Sequence, residues 1–166
     1  LPIISIATSL VTLVSMFHGA NRIDLINQIT KFGISMGLII SLTFSLFFFF
    51  FIDNFIHIFS DDQRIIDLTI LYFNIMIFAY PFITIGMTSS RVMQGLEHAN
   101  PMLILTLLRV VIIAASLAWY FVIFLDKPVH YAWIGTLISC IITSIVSITW
   151  LKIIIRRASD PPLRTG

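Results

Sequence analysis

The chain is 166 residues long, 58% hydrophobic and 11% charged, with a mean hydropathy of +1.02 and a formal charge of +2. A soluble domain carries roughly 25% charged residues, and one with 15 phenylalanines at this composition would expose enough apolar surface to aggregate, so a soluble globular protein is excluded and the chain falls in the membrane class. The small charge gives no reason for a nucleic-acid partner, and the single cysteine, Cys140, excludes an internal disulfide or a Cys-based metal cluster and reads as a packing residue in an apolar run.

Five apolar runs follow one another, at 1–17, 32–52, 68–90, 102–125 and 131–151. Crossing the hydrocarbon core takes about 20 helical residues. The last four runs meet that length, while the first, at 17 residues, is marginal. The chain opens on Leu1 and shows no signal-peptide pattern, so it is expected to be a piece of a longer protein whose first run has lost its start. In lipid, only helices or closed barrels satisfy the backbone, and these runs are too long and too continuously apolar for barrel strands. The fold class is therefore all-α, a polytopic membrane helical bundle with five transmembrane helices.

In the second run, Gly33, Gly37, Ser41 and Ser45 recur every four residues, a spacing that lets membrane helices approach closely. The phenylalanines at 47–51 surround the helix and are expected to face lipid and the outer interface. The loop at 53–67 has an interfacial middle, and Ser60, Asp61 and Asp62 form an N-cap region for the next helix. His57 stands there without partners for a metal.

The third run carries Asn74, Pro81, Thr84 and Thr88 within an arc of about 80°. Pro81 cannot donate to the carbonyl of Ile77, so a kink is expected there. Polar residues on a bent membrane helix either line a substrate path, as in many transporters, or are self-bonded hydroxyls beside an ordinary proline. The polar island "SSRVMQGLEHANP" follows, with Gly95 read as permitting a tight turn and Pro101 as starting the next helix.

In the fourth run, Thr106, Arg109 and Ser116 share another arc of about 80°. Arg109 lies about 12 Å of helical rise past Pro101, so it either snorkels to the interface or faces the bundle. The fifth run repeats the small-residue spacing at Gly135, Ser139, Thr143 and Ser147. Asn74, Pro81, Thr84, Thr88 and Arg109 are the substrate-path candidates.

Five spans place successive connections on alternate sides. Eight of the ten basic residues (Arg22, Lys31, Arg91, Arg109, Lys152, Arg156, Arg157 and Arg164) fall on one side, against Arg64 and Lys127 on the other. The positive-inside rule makes the first side cytoplasmic, with the N-terminal end outside, the C-terminus inside and residues 156–166 as a cytoplasmic tail. No G-x-S-x-G elbow, H-E-x-x-H, P-loop or Gly-rich dinucleotide turn occurs, and the four histidines are scattered. An enzyme is a poor reading, and no catalytic residue, cofactor or metal site is expected.

The segment "IFSDDQRIIDLTILYFNIMIFAYPFITIGMTSSRVMQGLEHANPMLILTLLRVVI" resembles the carboxy-terminal lobe of multidrug and toxic compound extrusion (MATE) transporters. The order of its parts carries the likeness: an acidic cap, Tyr80-Pro81-Phe82, a Gln94-Gly95 loop ending on Pro101, and Leu107-Leu108-Arg109. Upstream, "SLVTLVSMFHGANRIDLINQ" is similar to the family's stretch ending in Gly-Ala plus a basic residue. The Tyr-Pro-Phe and Leu-Leu-Arg features look more like the DinF-type and archaeal branch than the NorM branch.

The resemblance implies that residues 1–155 are helices eight to twelve of a twelve-helix transporter built from two lobes. It implies secondary antiport: an organic, often cationic compound leaves while protons or sodium ions enter. The implied partners are a small-molecule substrate, membrane lipid and the missing N-terminal lobe. Some members hold a cation-site acid in the tenth helix, where this chain has Ile83 and Thr84. Glu97 stands where a second Gly is usual in the loop, and Ala114 and Ala115 stand where Pro is often found. A lipid-linked oligosaccharide flippase of the same superfamily would want a more basic cavity, for which only Arg109 is available. A non-transporting membrane scaffold would lack the polar stripes and the internal proline.

Overall fold

The computed structural model describes residues 2–56, 62–98, 100–126, 128 and 130–159, and all of its regular structure is helical. His57, Ser60, Asp61, Lys127, Arg164 and the expected tail from residue 160 lie outside these residues. Five helical segments appear: α1 (Pro2–Gly19), α2 (Ile23–Ile56), α3 (Gln63–Gly95), α4 (Asn100–Phe124) and α5 (His130–Ser159). Four of them, α2 to α5, are long and apolar enough to cross a membrane, while α1 is a shorter apolar helix.

Helix α3 is the hub and packs against the other four, with α5 on one side and α1 and α2 on the other. The small-residue stripes lie in these seams. Ser41, Ser45, Ser139, Thr143 and Ser147 are all buried. A Cβ on Gly33 would collide with Leu10, one on Gly37 would stand 2.8 Å from Thr84 Cγ2, and one on Gly135 would stand 3.0 Å from Leu117 Cβ. The outside is apolar: Phe49, Phe50 and Phe51 of the phenylalanine run are exposed, and so are Val110, Val111, Ile112 and Phe124 on α4. In water such a surface would drive aggregation, whereas in lipid it is the expected exterior.

Asp62 caps α3, its carboxylate accepting from the Arg64 N–H at 2.9 Å, a contact worth about 1 kcal/mol at a helix start. The turns at the opposite end of the bundle share one design. After α3, the Glu97 N–H donates to Gln94 O at 3.1 Å and the His98 N–H to Met93 O at 3.0 Å. After α1, the Asn21 N–H donates to His18 O at 3.0 Å and the Arg22 N–H to Phe17 O at 2.9 Å. Both are Schellman closures, in which the residue after the cap takes the left-handed conformation. Asn21 does so at φ 55 and Glu97 at φ 65.

The left-handed residue of the polar island is therefore Glu97 and not Gly95, which is the last residue of α3. Asparagine tolerates that conformation, but glutamate pays a steric penalty that glycine escapes. Glu97→Gly is expected to stabilise the fold by about 1 kcal/mol, read as a higher denaturation midpoint in detergent. An unchanged or lower midpoint would show that Glu97 earns its place by a contact of its side chain.

Candidate functional site

The site begins with what proline does to α3. Pro81 has no N–H, so the carbonyl of Ile77 loses its helical donor. In a membrane that acceptor has no water to turn to. The helix runs through Pro81 from Gln63 to Gly95, and Ser45 of α2 donates its hydroxyl to Ile77 O at 3.2 Å. A residue of the second-run stripe thus repairs the defect made by Pro81. Thr84 turns back to Tyr80 O at 2.9 Å.

The irregular helix is α4. Residues Leu108–Ala115 and Tyr120–Phe124 are π-helical, separated by one α turn at Ser116–Trp119. Such widened turns are rare and frequently occur at functional sites. Arg109 sits at the start of the first, and Ser139 of α5 donates to its carbonyl at 2.7 Å.

Between α3, α4 and α5 lies a cleft of about 170 Å³. Its polar lining is Ser90, Thr106, Arg109, Thr143 and Ser144, with Cys140 and the apolar Phe82, Ile83 and Leu105 around them. Ser144 donates to Phe82 O at 2.7 Å, Ser147 to Gly86 O at 3.4 Å, and Ser90 to the same Gly86 carbonyl at 2.8 Å. The Thr143 hydroxyl is buried without a partner among the described residues. No lining residue carries a carboxylate. The wall presents one guanidinium and several hydroxyls, which suits recognition of a polar or anionic group and offers no acid–base pair for hydrolysis.

Of the five sequence-derived candidates, only Arg109 lines this cleft, so the bundle-facing alternative describes it. Thr84 and Thr88 are buried at the α2–α3 seam beside Gly37, and Asn74 and Pro81 are half-buried on α3. Thr106 joins Arg109 in the cleft but Ser116 does not; it lines a separate hollow with Leu117 and Tyr120. The arc that grouped the three assumed 100° per residue, and the π-helical stretch between Arg109 and Ser116 breaks that register. Thr143 was missed as a lining residue because a small-residue stripe reads as packing, and Ser144 because it stands beside that stripe and outside its four-residue spacing. Here one stripe does both.

A bundle of apolar-faced helices, four of them long enough to cross a membrane, is an integral membrane protein. The MatE family model matches residues 1–120, and the chain belongs to that family. It is 24% identical over 144 residues to a Thermotoga maritima protein named "Probable multidrug resistance protein NorM", a match covering 87% of this chain and 31% of that one. A solved MOP superfamily transporter from Pyrococcus furiosus superposes with a TM-score of 0.89 at 21% identity, over 96% of this chain and 36% of that chain. The outward-facing and inward-facing conformations of a multidrug resistance MATE family transporter each match with a TM-score of 0.87, over 95% of this chain. The chain spans about a third of the length of each relative.

Proposed function

We propose that residues 1–155 form the C-terminal lobe of a secondary active antiporter that exports organic, often cationic compounds in exchange for protons or sodium ions. The observation that carries this reading is the MatE match across 1–120, on a chain whose Arg109 lines a mainly apolar cleft with several hydroxyls. Equal likeness to an outward-facing and an inward-facing transporter supports a lobe that keeps its internal shape while access alternates around it.

The partner of this lobe is an N-terminal lobe that completes the cavity and supplies the coupling carboxylate, since the cleft has none among its lining residues. The Tyr80-Pro81-Phe82 and Leu107-Leu108-Arg109 features support placement near the DinF-type branch. Arg22 after α1, Arg91 near the end of α3, and Lys152, Arg156 and Arg157 on α5 support a cytoplasmic C-terminus, and the inner membrane of the cell is the location this reading implies. The protein acts as a transporter, without a cofactor and without covalent chemistry.

The test is efflux of a cationic dye by the whole protein in membrane vesicles energised by a proton or a sodium gradient. Uptake that collapses when one gradient is dissipated is expected. Gradient-independent dye distribution would refute the export reading. A second reading, a flippase for a lipid-linked anionic oligosaccharide, is favoured by Arg109 facing a cleft without a lining carboxylate. It predicts translocation of a fluorescent lipid-linked sugar by the same vesicles and no dye efflux.

A further inference from the structure

A second pocket, of about 420 Å³, lies at the opposite end of α5 from its start, where α1 and α3 also end. It is lined by His18 of α1, Leu96 and His98 of the turn after α3, and Trp150, Ile153 and Arg157 of α5, among others. We propose that this pocket holds the phosphate headgroup of an anionic phospholipid.

The charge of the pocket has one sign. His18, His98 and Arg157 are its ionisable lining residues, and Lys152 and Arg156 stand on the same stretch of α5. The described carboxylates near this end are Asp24, bound to Arg22 at 3.2 Å, and Glu97, exposed beside His98. The two imidazoles are not consumed by the fold. His98 Nδ1 lies 2.7 Å from the Leu96 carbonyl; a carbonyl only accepts, so Nδ1 is the donor, and Nε2 donates to a phosphate oxygen in the imidazolium form. His18 Nδ1 is buried with no partner among the described residues. Arg157 adds a fixed positive charge for the phosphate oxygens, a role that a lysine can fill as a point charge.

The rest of the pocket is apolar, which decides the source of the phosphate. Leu96, Ile153, Ile154 and Trp150 form its walls. Tryptophan is at home at the membrane–water interface, and below the pocket α5 exposes Ile142 and Ile145. That surface runs alongside an acyl chain beneath a headgroup held at the basic end. Basic pockets between membrane helices take anionic headgroups for this reason. A free phosphate gains nothing from the apolar walls. The inference is independent of the exported compound, since this pocket shares no lining residue with the Arg109 cleft.

The test is native mass spectrometry of the whole protein released from nanodiscs of equal phosphatidylglycerol and phosphatidylcholine. Wild type should retain phosphatidylglycerol in several-fold excess. His98→Gln with Arg157→Gln should reduce that retention about tenfold, Arg157→Lys should keep most of it, and Arg156→Gln, outside the pocket lining, should leave it unchanged. Equal retention of both lipids, or loss that is the same in Arg156→Gln, would overturn the site in favour of diffuse surface attraction. Displacement of the retained lipid by millimolar inorganic phosphate would overturn the lipid as the ligand. If the double variant fails to fold by size exclusion, the comparison of Arg157→Lys with Arg157→Gln decides alone.

Discussion

Replacing Gly95 by alanine is expected to destabilise the bundle by about 3 kcal/mol, although it adds a single methyl. That carbon would stand 2.8 Å from Val14 Cβ and 2.9 Å from the Val11 carbonyl oxygen. Neither neighbour can swing away: one is attached directly to the α1 backbone and the other belongs to it. Val14 is also fully buried in the cluster that joins α1, α3 and α5. Helix α1 would have to move bodily, and the contact of the Ser15 hydroxyl with Gly95 O at 3.1 Å, which it shares with Val11 O at 2.8 Å, would go with it. Gly86→Ala is the control. A Cβ there meets nothing within 4 Å, so the higher helix propensity of alanine should stabilise α3 by up to about 1 kcal/mol. The check is the unfolding midpoint of both variants in detergent. A Gly95→Ala protein as stable as wild type would mean that α1 does not sit against α3 as described.

The second expectation concerns Ser45 and Pro81. Ser45→Ala leaves the Ile77 carbonyl without its donor in a buried, water-free seam and should cost about 1–2 kcal/mol. In a Pro81→Ala background, the backbone N–H of residue 81 is restored and can bond Ile77 O within α3. There the same Ser45→Ala change should cost no more than about 0.5 kcal/mol. The coupling of about 1 kcal/mol across this double-mutant cycle is the signature of repair. Additive costs would mean that Ser45 stabilises the seam by packing alone.

Much of the architecture could be read from the chain because lipid leaves few choices. Apolar length reported the spans, small residues at four-residue spacing reported the seams, and the excess of arginine and lysine grouped the ends of the helices. Hydropathy, however, measures the hydrocarbon layer and not the helix. That is why α2 begins at Ile23, well before the apolar run at residue 32, and α5 continues through Arg156 and Arg157 to Ser159. The π-helical register of α4 left no mark in "LRVVIIAA", which has neither Gly nor Pro. Gly95 was visible, but its purpose was not, because close approach to α1 depends on a partner 80 residues away in sequence. Arg109 was singled out by its cost in a membrane, and only tertiary packing could decide between interface and cleft.

The serine bridges have a consequence for how such a bundle drifts through sequence space. Ser15, Ser45, Ser139, Ser144 and Ser147 each reach across to another helix, and in every case the acceptor is a backbone carbonyl. A carbonyl is common to all twenty amino acids. The side chains at Ile77, Phe82 and Arg109 can therefore be exchanged without deleting the group that is held, provided the helix keeps its path. Only the donor half of each clasp is written in the genetic text. An assembly fastened in this way can lose most of its residue identities and keep its shape.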